Sequence, residues 1–344
     1  MPSDDLFSPD LNEPLKIPAQ ESWPETFHRF DQKSIWAVKA ALASGRPLLL
    51  RGEPGIGKSQ LARAAACHLG VPFLPFVVDE RSERDELFFT FDAVARLAQA
   101  QVSAVIAQTD RGNDWQKALA EENFFRPGVM WKSLHWQDAQ KQAERFSKNA
   151  RQTDSRSSFP DWKPAADARC GPVVLIDEID KADPSVPNGL LECLGNQGFQ
   201  IPQLGKTITL GKGNKPPLVI ITTNEDRELP AAFLRRCLVL QMEFPEEPEA
   251  AKTFLIEERA RVFWKEEQVS KTVCETVVNL LLDERKNAKQ DGVTVPGAAE
   301  YLDILRVLVN LCKAEDPVER DTIQLDALTK ISDFALKKNR EERS

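Results

Sequence analysis

Long apolar runs are missing from this sequence, and so are paired cysteines. The longest apolar runs, such as residues 173–176 and 218–221, are four residues long, whereas a membrane-spanning helix needs about 20. The six cysteines lie 23 or more positions apart, form no C-x-x-C pair and accompany only three histidines. Neither a zinc site nor a disulfide framework is therefore expected.

The beginning of the sequence lacks the apolar segment of a secretion signal and carries acidic residues instead. Positive charge is not in excess either, because 45 Lys+Arg stand against 53 Asp+Glu in 344 residues, a net charge of −8. This balance argues against a surface that coats nucleic acid, although it leaves room for one local basic patch. We expect a cytoplasmic protein of about two domains without a membrane partner.

The first residues, 1–30, are rich in proline and in acidic side chains. Prolines break helices and central strands, so an irregular N-terminal tail is expected, either lying over the domain or disordered. The prolines are Pro2, Pro9, Pro14, Pro18 and Pro24.

Residues 31–245 show the alternation of strands and helices that is typical of a parallel sheet. Helical spacing runs from Lys33 to a stop at Gly45, and a strand, a helix and a second strand follow within about 30 residues. Non-alternating apolar strands are buried on both faces. The predicted strands are residues 47–50, 73–78, 173–176, 218–222 and 238–242, and the helix between the first two spans Lys58–Leu69. The core is predicted to be a layered α/β domain.

Residues 85–169 exceed what a five-stranded domain needs and are predicted to be an insertion. Its first part, 85–101, has helical spacing, and its last part, 145–169, has the composition of a long flexible loop. Aromatic side chains in the insertion can form a partner-binding face or simply pack, and basic side chains of the loop can touch nucleic acid or be solvated. The aromatic residues are Trp115, Trp131 and Trp136, and the basic ones are Arg145, Lys148, Arg151 and Arg156.

Residues 246–344 show apolar positions at helical spacing with almost no strand signal. Examples are Val273, Val277 and Leu281, and later Leu302 and Leu305. A small, all-helical second domain is therefore predicted.

A glycine-rich segment between a predicted strand and a predicted helix matches the pattern G-x-x-x-x-G-K-[ST]. Glycines allow a tight turn whose N–H groups point at phosphate oxygens, and the following helix adds the positive end of its dipole. The lysine would reach the β- and γ-phosphates, and the serine hydroxyl would hold Mg²⁺. The expected nucleotide-binding residues are Gly52, Glu53, Pro54, Gly55, Ile56, Gly57, Lys58, Ser59 and Gln60.

ATP is favoured over guanine nucleotides as the ligand of this loop. Guanine-specific proteins usually carry an N-K-x-D element, whereas Asn214 and Lys215 are followed here by two prolines.

Two carboxylates, Asp177 and Glu178, follow a hydrophobic strand. Open α/β sheets bind their ligands at such strand ends. Asp177 would orient the Mg²⁺ shell, and Glu178 would act as the general base on the attacking water. Asp180 is expected at the surface or as a cap, and Asp183 as an N-cap before a proline.

Polar and basic residues follow the next two predicted strands. Asn224 ends one strand and can hydrogen-bond the attacking water or the γ-phosphate, unless it only forms a turn. Arg235 and Arg236 end a short predicted helix. Their guanidinium groups can reach the γ-phosphate of a neighbouring subunit. Such a contact accelerates hydrolysis by a factor of about 10³–10⁵. A solvated arginine pair is the alternative.

With these motifs in this order and spacing, residues 31–312 resemble an AAA+ ATPase, and more narrowly the MoxR-like branch. Four further segments carry the likeness. They are the F-R-P-G element at 125–128, the helix after the acidic motif at 188–194, a hairpin region near 198–215, and the arginine-finger segment at 229–236, in which Arg236 matches best.

The resemblance implies a P-loop αβα core with strand order 5-1-4-3-2 and a helical lid. It also implies ATP and Mg²⁺ as cofactors and a ring, commonly hexameric, that remodels a protein substrate, often with a von Willebrand A-domain partner. The amino-acid sequence at residues 224–230 and 233–237 is similar to that of MoxR-type ATPases of prokaryotic defence systems. One departure concerns the lid, where Ala299 stands near the position at which many relatives carry a sensor arginine. Either lid closure on the γ-phosphate is weaker, or Arg306 or Lys289 substitutes from another position, and neither residue is assigned to the role.

The sequence therefore predicts ATP hydrolysis by an oligomeric motor. Two alternatives stay open. A motor of a restriction or defence system would turn over faster with nucleic acid, and a slow ATP-gated scaffold would switch partners with ATP occupancy.

Overall fold

The computed structural model of the chain describes residues 6–20, 22–106, 117, 119–149, 159, 162, 169–312 and 314–336. Its strands are β1 Leu15–Ile17, β2 Thr26–His28, β3 Leu48–Arg51, β4 Phe73–Val77, β5 Phe89–Phe91, β6 Phe125–Pro127, β7 Val173–Asp177, β8 Gly198–Ile201, β9 Lys206–Thr209, β10 Leu218–Thr223 and β11 Leu238–Gln241.

The α-helices of the same residues are α1 Gln32–Ser44, α2 Lys58–Leu69, α3 Ala93–Ile106, α4 Val129–Leu134, α5 Trp136–Asn149, α6 Ser185–Asn196, α7 Ala231–Leu234, α8 Pro248–Thr253, α9 Arg261–Phe263, α10 Lys271–Asp291, α11 Ala298–Leu311 and α12 Pro317–Leu336. Short 3₁₀-helices lie at Arg84–Leu87, Glu121–Phe124, Ile179–Lys181 and Pro202–Leu204, and a π-helix at Phe254–Ala260. No helix in the described part is both long and apolar enough to cross a membrane.

Five strands form one parallel sheet in the order β11-β3-β10-β7-β4. Counted along the chain within this sheet, the order is 5-1-4-3-2, which confirms the prediction. β10 and β4 flank β7, with Leu218 and Phe73 both opposite Val173. The three strands are apolar without alternation because helices cover both faces of such a sheet.

The chain divides into two compact units. The first contains Trp36–Leu50 and Ala65–Leu240, and the second contains Ser8–Ile35, Arg51–Ala64 and Gln241–Ser344. In the first unit, a buried cluster surrounds the sheet and includes Leu49, Val174 and Ile221. In the second unit, a separate cluster joins helical residues such as Val277 and Leu305. Both clusters are apolar cores whose burial stabilises their unit.

The N-terminal segment is more regular than its prolines suggest. β1 and β2 form an antiparallel pair in which Ile17 lies opposite Thr26, and Ile17 is buried. Arg63, from α2, donates to the carbonyl oxygens of Pro18 and Pro24 at 2.5 and 2.8 Å. The expectation that the prolines exclude regular elements is therefore wrong for the described part. Pro18 and Pro24 lie outside the two strands, and their carbonyl oxygens accept hydrogen bonds from Arg63.

The insertion also departs from its prediction. Residues 85–101 are not one helix, because strand β5 separates the 3₁₀-helix Arg84–Leu87 from α3 and pairs with β6. The predicted loop at 145–169 is wrong at its start, since α5 runs to Asn149.

Aromatic residues of the insertion pack inside the first unit. Trp131 and Trp136 are almost completely buried. The ring N–H of Trp131 donates to Asp138 at 2.8 Å, and Trp136 makes edge contacts with Phe159 and Trp162. The packing alternative is correct for these two tryptophans, so they do not form a partner-binding face.

Several insertion residues discussed above lie outside the described residues, namely Trp115, Arg151 and Arg156. Arg145 is described and forms an ion pair with Glu122 at 2.6 Å.

Candidate active site

The glycine-rich loop runs from the end of β3 to the start of α2 and depends on three positive φ angles. Gly52, Gly55 and Gly57 have φ values of 143°, 75° and 105°, which L-residues rarely adopt. A Cβ at Gly52 would lie 2.1 Å from the carbonyl oxygen of Met242, and one at Gly55 would lie 2.8 Å from Cβ of Ala299. Glycine is thus required at the first two positions by both conformation and space.

The loop encloses the ammonium group of Lys58, which is 6% exposed. Its Nζ donates to the carbonyl oxygens of Gly52 at 2.7 Å and Glu53 at 3.0 Å. Ser59 follows as the second residue of α2. A buried cation next to a helix N-terminus is suited to phosphate oxygens.

A cavity of about 240 Å³ lies within the second unit beside the loop. Its lining comes from residues 26–29, 55–57 and 298–299, together with apolar side chains such as Phe263 and Leu302. Charged side chains, among them Glu258, Arg259 and Asp303, line it as well. A cavity that combines apolar walls with polar groups is typical of a site for an organic ligand.

Two polar residues line this cavity in different ways. Gln60 uses its amide group to donate to Thr26 Oγ1 at 3.0 Å and to the carbonyl oxygen of Phe27 at 3.1 Å. Burial, assisted by the charge of Arg259, lowers the pKa of His28 to about 3. The Nε2 atom of His28 is buried and has no hydrogen-bond partner among the described residues. Gln60 therefore anchors the cavity wall, and His28 contributes a neutral ring.

In the first unit, Asp177 and Glu178 are held by a residue of the neighbouring strand. Thr222 Oγ1 donates to Asp177 Oδ1 at 2.6 Å and accepts the backbone N–H of Glu178 at 2.9 Å. Glu178 has a φ of 60°, a left-handed conformation that is uncommon outside glycine and is often found at functional sites. Thr222 cannot be singled out from the sequence, because its contact depends on the register of β10 against β7.

Both oxygens of the Glu178 carboxylate have partners. Asn224 Nδ2 donates to Oε1 at 3.1 Å, and Lys181 Nζ donates to Oε2 at 2.6 Å. The hydrogen bond to Glu178 raises the pKa of Lys181. The structure thus brings Asp177, Glu178 and Asn224 together, as expected if their strands are neighbours, and adds a cation at the carboxylate.

Asp180 differs from its prediction as a surface residue, because it is 3% exposed. One of its oxygens accepts the backbone N–H of Asp226 at 3.0 Å, and the other has no partner among the described residues. It therefore links the turn after β7 to the loop after Asn224. Asp183 is not the N-cap that was expected, because the helix begins at Ser185 and its N-cap is Pro184. The Asp183 side chain lies one residue further out and accepts the backbone N–H of Ser185 at 2.9 Å.

The paired arginines follow the short helix α7, and both are exposed. Neither guanidinium forms an ion pair within the described part of the chain. Their backbone is held by Arg46, which donates to the carbonyl oxygens of Arg235, Arg236 and Cys237 at 2.5, 3.2 and 3.0 Å. The segment thus presents two guanidinium groups outward from a fixed backbone.

Both cations that were considered as substitutes for a lid sensor are exposed and engaged elsewhere. Arg306 forms an ion pair with Asp303 at 2.6 Å, and Lys289 forms one with Glu246 at 2.9 Å. Ala299 itself packs against the turn at Gly55. Arg306 nevertheless lines the cavity beside Gly55 and Gly57, whereas Lys289 does not line it.

Comparisons with known proteins identify the family to which this fold belongs. A family model described as "ATPase family associated with various cellular activities (AAA)" matches residues 48–246, more than half of the chain. No curated protein matches the chain.

Solved structures that are similar include two variants of RuvB from Thermotoga maritima. A threonine-to-valine variant has 14% identity and a TM-score of 0.41, with 87% of this chain and 67% of RuvB covered. A lysine-to-arginine variant has 15% identity and a TM-score of 0.42, with 87% and 68% covered. A candidate ATPase from Cytophaga hutchinsonii has 12% identity and a TM-score of 0.36, with 89% and 88% covered.

Proposed function

The chain belongs to the AAA family of ATPases, and we propose that it is a MoxR-like motor that uses ATP to remodel a protein partner. The observation that carries this proposal is the exposed pair Arg235 and Arg236 on a backbone braced by Arg46. Exposed guanidinium groups that are fixed in this way suit a contact with the nucleotide of a neighbouring subunit. A hexameric ring in the cytoplasm is the assembly that we propose.

In the proposed chemistry, ATP is bound by the phosphate loop and attacked by water at its γ-phosphate. Lys58 neutralises charge on the β- and γ-phosphates. Glu178 accepts the proton of the attacking water, and Asn224 orients the Glu178 carboxylate and the water. Arg236 completes the site of a neighbour, with Arg235 as the less favoured candidate.

Mg²⁺ belongs to this proposal as well, with Ser59 and Asp177 as the residues that would hold it. The described residues contain no group of three or more His, Cys, Asp or Glu side chains that could hold a metal ion. The pair Ser59 and Asp177 still fits Mg²⁺, because this ion binds through one or two protein oxygens together with water and substrate phosphates. Thr222 fixes Asp177 Oδ1 and so orients the carboxylate for that task. When bound, Mg²⁺ stabilises negative charge on the phosphates.

The cavity of the second unit is proposed to hold the adenine base. Its apolar lining beside Gly55 and Gly57 supports this assignment. Burial of a flat base against apolar side chains contributes to affinity.

The partner that is remodelled is proposed to be a protein, with a von Willebrand A-domain protein as a co-acting partner, in a prokaryotic defence system. This part of the proposal is supported by the resemblance of residues 224–230 and 233–237. The two alternative functions are a motor that is stimulated by nucleic acid and a slow, ATP-gated binding scaffold.

A subunit-complementation experiment tests the trans-acting arginine. Lys58→Ala removes the phosphate contact, and Arg236→Ala removes the finger, so each variant alone is expected to be inactive. In an equimolar mixture about one quarter of the ring interfaces combine an intact site with an intact finger, and ATPase activity should return to that extent. A mixture as inactive as its components would contradict the proposal. The matched variant Arg235→Ala should retain activity.

A further inference from the structure

Arg285 is a buried cation in the helical part of the second unit. It belongs to α10 and is 6% exposed. Burying a guanidinium is costly unless its N–H groups and its charge find partners. The partners of Arg285 therefore indicate why this position carries a cation.

Three groups surround the Arg285 guanidinium. Nη1 donates to the carbonyl oxygen of Pro296 at 2.5 Å. Nη2 donates to both carboxylate oxygens of Glu53, at 3.1 and 2.9 Å. The Phe244 ring covers the guanidinium, with 3.8 Å between its carbon and the ring centre. Helix α10 is thereby joined to a residue of the phosphate loop.

Glu53 carries the effect of this contact into the loop. Its side chain accepts from Arg285, and its backbone carbonyl accepts from Lys58 at 3.0 Å. Glu53 follows Gly52, whose carbonyl also accepts from Lys58. The position of Glu53 therefore helps to set the loop conformation around the lysine.

We propose that Arg285 is a positioning residue for nucleotide binding, which through the Glu53 carboxylate holds the phosphate loop in the conformation that receives the phosphates. This inference deepens the assignment of the loop as the ATP site and does not depend on the ring. It gives the helical part of the second unit a cationic link to the phosphate loop.

Replacement of Arg285 by methionine is the main test. Methionine keeps an unbranched apolar chain against Phe244 but leaves Glu53, whose side chain is 40% exposed, without its partner. A loop that must be ordered by the nucleotide binds ATP and ADP less tightly, whereas the chemistry of the bound state is unchanged. We expect the KM for ATP and the Kd for ADP to rise together by about tenfold, with kcat within about twofold.

Two further variants separate positioning from packing. Lys289→Met removes an exposed cation one turn further along α10 and should change neither constant. Glu53→Gln combined with Arg285→Met should bind no more weakly than Arg285→Met alone, because both changes remove one interaction. Arg285→Lys should recover only part of the affinity, because an ammonium group cannot reproduce the planar guanidinium contacts.

Nucleotide binding and steady-state ATPase rates are measured on the full chain, with circular dichroism to verify folding. A folded Arg285→Met protein with unchanged KM and ADP affinity would overturn the inference, as would additive losses in the double variant. If Arg285→Met does not fold, Glu53→Gln tests the same contact from the other side chain. An unchanged KM for ATP in that variant overturns the inference. Failure of the wild-type chain to bind ATP would instead refute the ATP site itself.

Discussion

The side-chain amide of Asn224 donates a hydrogen bond to Oε1 of Glu178 over 3.1 Å. The contact is made possible by the parallel pairing of β10 with β7, in which Ile221 lies opposite Ile176. An amide that touches the proposed general base can hold its carboxylate in one orientation. The pair is therefore the part of the first unit in which we expect small changes to affect catalysis most.

Asn224→Ala is expected to lower kcat by about 10- to 100-fold with little change in the KM for ATP, since a hydrogen bond to a charged group is lost. Steady-state ATPase kinetics measure both constants. Asn188→Ala, at an exposed position of α6, serves as the control. A rise in KM at constant kcat would show that Asn224 acts in binding instead.

Lys181→Met should raise the basal ATPase rate by a few-fold, because the Lys181 ammonium donates to Glu178 Oε2 at 2.6 Å and so competes with the attacking water for the proposed base. Both side chains are partly exposed, which limits the effect. The rate is measured at saturating ATP, with Lys181→Arg as the charge-conserving control. A lower rate in the methionine variant would mean that the ion pair positions Glu178 for catalysis.

Arg46→Ala should lower the ATPase rate in the same direction as Arg236→Ala while ATP affinity stays at the wild-type value. The reason is that Arg46 holds the backbone of residues 235–237 and lies outside the phosphate loop. ATP binding and turnover are measured in parallel. Wild-type turnover by a folded Arg46→Ala protein would show that the bracing of this segment is not needed.

Gly52→Ala should lower the free energy of unfolding by about 3 kcal/mol or more, because the added Cβ meets the Met242 carbonyl oxygen at 2.1 Å in an unfavourable backbone conformation. Gly45→Ala also forces a positive φ, yet no atom lies within 4 Å of the added Cβ. Gly45→Ala should therefore lower the free energy of unfolding by only about 1 kcal/mol. Denaturant unfolding compares the two, and equal losses would disprove the steric explanation.

Stability should fall on acidification partly through His28. Its pKa is about 3 in the folded chain against the ordinary histidine value of 6.5, so between these pH values the unfolded chain binds more protons and folding weakens as pH drops. The loss from this group alone is about 2 kcal/mol at pH 5. His28→Phe should remove that part of the pH dependence, as measured by unfolding at pH 7 and pH 5. Identical pH dependence of the two proteins would contradict the burial of a neutral ring.

The sheet strands could be located in the sequence because each is a short apolar run next to a recognisable motif, whereas their order in the sheet was implied by the resemblance to AAA+ ATPases. The sequence also allowed Asn224 to be placed beside Glu178, given that their strands are neighbours. Thr222 and Arg285 could not be found in this way. The contact of Thr222 needs the exact strand register, and Arg285 meets a residue 232 positions away in the chain.

The N-terminal strands and β5 were missed for a related reason. Strands of three residues carry too little periodicity to be seen, and their formation depends on a partner strand elsewhere in the sequence. The proline-rich composition of residues 1–30 pointed to irregular structure, whereas Arg63 holds the carbonyl groups of Pro18 and Pro24. Burial of Asp180 depended likewise on the loop after Asn224.

The most direct test of an ATP-dependent ring is the solution mass of the Glu178→Gln protein, measured with and without Mg-ATP. This variant should bind ATP and hydrolyse it very slowly, so the ATP state persists during the measurement. The account predicts a shift from the 38.6 kDa subunit to a species near six times that mass when Mg-ATP is present. A protein that binds ATP and stays monomeric would contradict the trans-acting role of Arg236 and favour the ATP-gated scaffold.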